Sequence, residues 1–314
     1  MITKFLRLVE IQTKAASLIP LLMGTLYAVY RFHIFQPGHF ALMLLSLLTF
    51  DMTTTAINNY YDYKKAARKH GYGYETHNPI VKYGMNPRAV LALIILMFLI
   101  AVAAGIMLFL QTGWLLLLLG GLSFAVGILY SFGPIPISRM PLGEIFSGLF
   151  MGFVIIFVSA YVHAGDKLAS LTLEGGAVTL QIQLLEVLLI FLISIPAIFG
   201  IANIMLANNI CDMEEDIENK RYTLPIYIGK PAALLLFKLL YYAGYADLII
   251  LVFLGVHPLI LVMVLATLIP VHRNIRQFSQ QPTKQFTFRL AVKNFILTNM
   301  ARIVALGLAI IFSL

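Results

Sequence analysis

Long apolar runs alternate with short polar ones along the chain, at about 15–30, 40–61, 89–110, 114–130, 142–162, 184–210, 231–254, 258–271 and 294–313. An α-helix needs about 20 apolar residues to cross the hydrocarbon layer of a bilayer, and most of these runs meet or approach that length. Continuous helices satisfy every backbone donor and acceptor internally, which lipid requires. The pattern predicts an all-α, polytopic membrane protein. A single domain over 1–314 would form a bundle of about nine transmembrane helices, with a central cavity opening near the cytoplasmic face. Turns are expected at Gln36-Pro37-Gly38, Gln111-Thr112-Gly113, Gly133-Pro134-Ile135-Pro136 and Gly229-Lys230-Pro231. The shortest run, 258–271, is expected to end at Pro270. The segment 163–183, with His163, Asp166, Glu174 and Gly175-Gly176, shows no pattern that points to chemistry.

Composition agrees with this reading. The chain is 60% hydrophobic, and 11% of its residues are charged, against about 25% in a soluble domain. Mean hydropathy is +0.89. Lys4, Arg7, Glu10 and Lys14 precede a long helix with no small-residue cleavage site, so no cleavable leader is expected. Cys211 is the one cysteine, which excludes an internal disulfide and suits a small filler residue.

Basic residues are distributed unequally. Lys4, Arg7, Lys14, Lys64, Lys65, Arg68, Lys69, Lys82, Arg88, Arg139, Lys220, Arg221, Lys230, Arg273, Arg276, Lys284, Arg289 and Lys293 fall on one side of the expected bundle. Arg31 and Lys167 fall on the other. By the positive-inside rule the amino terminus and the long polar loops at 62–88 and 211–230 face the cytoplasm, and after nine spans the carboxyl terminus lies outside. The net charge of +8 is then topological, and no nucleic-acid partner is expected.

Both long loops grow out of the same motif. Asn58-Asn59-Tyr60-Tyr61-Asp62 and Asn208-Asn209-Ile210-Cys211-Asp212 share the spacing Asn-Asn-x-x-Asp. In the second copy Asn208, Asp212 and Asp216 recur at i, i+4 and i+8, one face of a helix if the helix continues. Five of the fourteen acidic residues lie between Asn208 and Arg221. A solvated acidic loop is the plain explanation. A column of oxygen ligands at a membrane edge, present twice, favours a two-part site for a hard divalent cation. Lys64, Lys65, Arg68 and Lys69 follow the first copy, and Lys220 and Arg221 the second. Carboxylates flanked by cations suit a magnesium–diphosphate complex, although topology alone accounts for most of the basic residues individually. No phosphate-binding Gly-x-x-x-x-Gly-Lys loop, His-Glu-x-x-His or Cys-x-x-Cys is present, and the seven histidines are scattered.

These features resemble the UbiA superfamily of intramembrane aromatic prenyltransferases. The likeness rests on Asn58 through Lys64, Gly133 through Ile137, Pro141-Leu142-Gly143-Glu144-Ile145-Phe146-Ser147-Gly148-Leu149-Phe150-Met151-Gly152, and Ala207 through Arg221 followed by Thr223-Leu224. Within the superfamily these stretches are most similar to the branch that prenylates 1,4-dihydroxy-2-naphthoate in menaquinone biosynthesis.

The resemblance implies a Mg2+-dependent enzyme of a bacterial plasma membrane, acting on polyprenyl diphosphate and an aromatic acceptor. Metal would be held by Asn58, Asp62, Asn208, Asp212 and Asp216, with Asp62, Asp212 and Asp216 essential to the chemistry. Asn59, Lys65, Arg68, Lys69, Tyr130, Arg139, Asn209, Lys220 and Arg221 would contact substrate. Diphosphate would leave an allylic carbocation, the naphthoate ring would attack it, and loss of carbon dioxide would give demethylmenaquinone. The apolar bundle would shield the cation from water and house the isoprenoid tail. Tyr60, Tyr61, Tyr63 and Tyr130 could add their π faces, though single tyrosines at a membrane edge are as readily interface anchors.

Two departures stand out. Relatives carry a further aspartate after the first motif, where this chain has Ala66 and Arg68; Glu75, His70 or His77 could substitute from the loop. The family's Tyr-Thr before Pro-Leu-Gly-Glu is here Arg139-Met140. The second motif is therefore expected to carry the larger share of metal binding. Rival readings are another acceptor (4-hydroxybenzoate, haem or homogentisate), a transporter, or a paralogue that binds prenyl lipid without turnover. Midplane placement would favour a transporter, but these acids lie at helix ends. The pattern leaves prenyl chain length, the general base and oligomeric state open.

Overall fold

The computed structural model describes residues 2–65, 78–131 and 136–313. After a short amino-terminal helix α1 (Ile2–Leu8) come α2 (Ala15–Phe32), α3 (Pro37–Lys65), α4 (Pro87–Thr112) and α5 (Trp114–Ser131). Helix α6 is continuous through three stretches: Gly143–Ser147, a π-helical Gly148–Val154, and Ile155–Ala164. Beyond it lie α7 (Leu184–Cys211), α8 (Met213–Glu218), α9 (Leu224–Ile228), α10 (Lys230–Ala243), α11 (Asp247–Phe253), α12 (Pro258–Ala266), α13 (Leu268–Gln280) and α14 (Phe288–Ser313). Among the described residues, seven helical segments are long and apolar enough to cross a membrane, and the apolar Trp114–Tyr130 is slightly shorter.

The expected run 258–271 is longer than its hydropathy suggests. The Tyr30 hydroxyl donates to Leu254 O, 2.9 Å, at the end of the bundle where α2 finishes. Lys284 reaches Asp212 at the opposite end. The chain between them, α12 and α13, must therefore cross the bundle. Pro270 does not end this span. It lies in the first turn of α13, where a proline's missing N–H leaves no intrahelical bond unmade.

The start of α4 is set locally. Asn86 caps α4 by accepting from Arg88 N at 2.9 Å, with Pro87 in the first turn. Gly24 and Gly152 mark backbone-close crossings. A Cβ at Gly24 would lie 2.2 Å from Ile156 O, and one at Gly152 would lie 2.6 Å from Ile198 N, so only glycine lets α2 meet α6 and α6 meet α7. The segment 163–183 carries a hairpin not anticipated above: β1 (Ala169–Glu174) pairs antiparallel with β2 (Ala177–Ile182). Gly175 and Gly176 both have positive φ, at 55° and 80°, as a two-residue primed turn requires.

Two cations buried inside the bundle are paired. Arg302, midway along α14, donates to both carboxylate oxygens of Asp247 at 2.6 Å, to Thr298 O and to Gly244 O; Arg302 and Asp247 are each 1% exposed. Lys14, counted above with the topological cations, is in fact buried. Its ammonium holds Asp51 Oδ1 at 2.6 Å and Thr55 Oγ1 at 2.8 Å, clamping the start of α2 to α3. Removing one member of such a buried pair typically costs about 3–5 kcal/mol.

Candidate active site at one end of the bundle

Helix α7 ends with the second motif. Asn208 and Asn209 occupy its last turn, and Asp212, at φ −101°, ψ 7°, breaks the helix before α8 begins. The expected single column is thus kinked at Asp212, although Asp216 N still donates to Asp212 O at 2.8 Å. Asn208 Nδ2 donates to Asp212 Oδ2 at 3.2 Å. Between them stands a cation from the α13–α14 connection. The Lys284 ammonium donates to Asn208 Oδ1 at 2.5 Å and to Asp212 Oδ2. Asp216 is buried; its Oδ2 accepts from Thr223 Oγ1 at 3.3 Å, and its Oδ1 lies 3.6 Å from Arg221 Nε. Desolvation pushes its carboxyl above the usual carboxylate range, with the charge of Arg221 and the Thr223 bond pulling it back.

Asn209 points elsewhere, donating through Nδ2 to Glu144 Oε1 at 2.9 Å. Glu144 is placed there by its own segment. Gly148 and Gly152 seat α6 against the backbone of α7 around Ile198, where a Cβ would lie 2.8 Å and 2.6 Å from main-chain atoms. The π-helical turn spans those same residues, an irregularity often found at functional sites. Glu144 is only 4% exposed, and its Oε2 has no hydrogen-bond partner. The Tyr130 hydroxyl is buried and unpartnered too, and would lie 3.6 Å from a Cβ on Gly143. The preceding connection is tied to the second motif, with Tyr222 N donating to Arg139 O at 3.2 Å. The Arg139 and Lys220 side chains are exposed, and Lys220 adopts a left-handed φ of 54°.

The first motif sits at the same end of the bundle, on the last turns of α3. Asn58 and Asp62 are exposed there. The Asn59 side chain faces the amino-terminal region, donating through Nδ2 to Leu8 O at 3.0 Å and Glu10 Oε1 at 3.4 Å. Its carbonyl accepts from Asn78 Nδ2 at 2.8 Å. The Lys64 ammonium lies 5.4 Å from the Tyr60 ring centre. Lys65 closes α3; Ala66, Arg68, Lys69, His70, Glu75 and His77 lie outside the described residues.

Among the described residues, no cluster of three or more His, Cys, Asp or Glu converges as a metal cage. What exists is an oxygen pair, Asn208 and Asp212, already bracketing the Lys284 ammonium. Such a sparse set fits magnesium, which keeps several waters and is commonly bound through one or two carboxylates plus substrate phosphates.

The UbiA prenyltransferase family matches residues 17–294. This chain belongs to that family. The 1,4-dihydroxy-2-naphthoate octaprenyltransferase of Bacillus subtilis (strain 168) is 33% identical over 246 residues, 77% of this chain and 71% of that protein. Solved structures share the fold. A UbiA homologue from Aeropyrum pernix K1, without ligand, superposes with a TM-score of 0.66 at 19% identity, covering 92% of this chain and 97% of that one. A UbiA homologue from Archaeoglobus fulgidus bound to GPP and Mg2+ gives 0.56 at 18% identity, covering 98% and 99%.

In this UbiA chain the structure adds Lys284 and Glu144 to the polar groups at the motif end. Lys284 lies 72 residues from Asp212, and no periodicity could have joined them. Glu144 stood inside the Pro-Leu-Gly-Glu stretch as part of a resemblance only. The pair Gly148 and Gly152, four apart, was the available signal that its helix packs closely enough to deliver it.

Proposed function

We propose that the protein transfers a polyprenyl chain from polyprenyl diphosphate to 1,4-dihydroxy-2-naphthoate, with loss of carbon dioxide, on the menaquinone pathway. The observation that carries the chemistry is the Asn208–Asp212 oxygen pair bracketing a cation at the motif end of a UbiA bundle. The name of the 33%-identical relative, a 1,4-dihydroxy-2-naphthoate octaprenyltransferase, supports this acceptor. Asp62, Asp212 and Asp216 are the essential acids; with Asn58 and Asn208 they would hold magnesium. When bound, that metal neutralises diphosphate and assists its departure as a Lewis acid.

The protein's residues do the rest. Lys65, Arg68, Lys69, Lys220 and Arg221 offset the remaining phosphate charge. Displacement of Lys284 from Asn208 and Asp212 releases an ammonium beside the leaving group. The prenyl C–O bond breaks with its electron pair on diphosphate, and the electron-rich ring attacks the allylic carbon. Carbon dioxide leaves from the acceptor's carboxylate and returns that bond's electron pair to the ring, so with diphosphate as the other product the exchange balances and the ring stays at the hydroquinone level of demethylmenaquinone. An apolar cavity of about 230 Å3 between α3, α4, α5 and α6 supports housing of an isoprenoid tail; Met43, Phe50, Gly105, Gly120, Phe124 and Val158 line it. The basic bias of the motif end supports a cytoplasmic mouth in a bacterial plasma membrane.

The test is an assay of purified protein in detergent with 1,4-dihydroxy-2-naphthoate and polyprenyl diphosphate, with magnesium or with chelator. Magnesium-dependent prenylated product is expected. Its absence would overturn the reading, and product only with another aromatic acid would reassign the acceptor.

A further inference from the structure

Glu144 is out of place as a structural residue. A buried carboxylate ordinarily has its oxygens satisfied, because an unpaired polar atom withheld from water is unfavourable by about 1–3 kcal/mol. Here one oxygen accepts from Asn209 and the other, Oε2, has no partner. A second unpaired group is next to it, since the Tyr130 hydroxyl lies over Gly143, the residue before Glu144. The Ser147 hydroxyl, which donates to Glu144 O at 3.2 Å, also faces that phenol. Helices α5 and α6 thus bring a phenol and a carboxylate oxygen to one place, each without a hydrogen-bond partner by distance and angle. They adjoin the second motif through Asn209, which binds Glu144 and follows Asn208.

Among the two proposed substrates, the prenyl diphosphate offers no hydrogen-bond donor for a carboxylate. A hydroxylated aromatic acid offers a phenolic O–H donor and a carboxylate on one rigid plane. We propose that Glu144 Oε2 and the Tyr130 hydroxyl hold the ring hydroxyl of the aromatic acceptor. Glu144 is then a specificity-determining residue that orients the ring toward the prenyl carbon. Asn209 positions Glu144 through the opposite oxygen. This rests on the proposed prenyl transfer only for the identity of the ligand.

Glu144→Gln separates this role from a structural one. Its side-chain oxygen can still accept from Asn209, while the unpaired oxygen becomes an NH2 that cannot accept from a phenol. In full-length protein in detergent, Glu144→Gln is expected to raise KM for 1,4-dihydroxy-2-naphthoate about tenfold, in line with loss of a charge-assisted hydrogen bond. KM for polyprenyl diphosphate should stay within about twofold. Tyr130→Phe, losing a neutral bond, should raise acceptor KM about threefold. Unchanged acceptor KM in Glu144→Gln, or equal rises for both substrates, would overturn the proposal. If wild-type protein forms no product, titration of the acceptor's fluorescence without donor decides it. Roughly tenfold weaker binding to Glu144→Gln supports the pair, and equal binding removes it.

Discussion

Asn59 and Asn209 occupy the same place in two copies of Asn-Asn-x-x-Asp, yet the bundle uses them differently. Asn59 donates to Leu8 O and Glu10 Oε1, tying the end of α3 to the amino-terminal helix. Asn209 is 4% exposed and donates to Glu144, within the polar cluster. Their companions differ likewise. Asp212 shares Lys284 with Asn208 and is half-buried, whereas Asp62 is exposed on the last turns of α3. An internal repeat in sequence has become a division of labour, because each copy meets different neighbours. The second is enclosed by α6, Lys284 and Thr223, where electrostatic interactions are less screened by water.

The largest expected effect tests that division. Asp212→Ala should lower kcat by more than about 100-fold, the scale seen when a fixed electrostatic stabiliser is removed. Asp62→Ala should cost less, about tenfold, if the exposed site contributes the smaller share. Equal losses in a steady-state assay, with both variants inserted normally, would make the copies equivalent. Lys284→Met should tighten binding of Mn2+ alone, as a probe, by about threefold, since no ammonium then competes for Asn208 and Asp212. Calorimetry with a wild-type control would read that shift, and weaker binding would mean the lysine supports the metal. The smallest effect on activity belongs to Asn59→Ala. It should lower thermal stability by about 1 kcal/mol through its lost bond to Leu8 while leaving both KM values nearly unchanged. A rise in KM for either substrate would place Asn59 in the site.

Much of the architecture was legible in the order of residues. Apolar runs of membrane length, the doubled motif and the glycines at Gly148 and Gly152 are local signals, each interpretable within one or two helical turns. Helix formation in lipid is dictated by backbone hydrogen bonding, so hydropathy alone located most spans. Where polar groups break that rule the signal weakened. The crossing at 258–280 is interrupted at Thr267 and carries basic residues in α13, and its role emerged only from what its two ends touch.

Contacts between distant segments were beyond the sequence. Arg302 with Asp247, Lys14 with Asp51 and Lys284 with Asp212 are separated by 55, 37 and 72 positions. Each pair depends on which helix faces meet, and that is set by packing of the whole bundle rather than by any window of residues. The sequence by itself determined a UbiA-like membrane bundle with two acidic helix ends. Only the tertiary structure decided that one end encloses a cation and an incompletely bonded glutamate, because burial and partner geometry exist only once α6, α7 and α14 have come together.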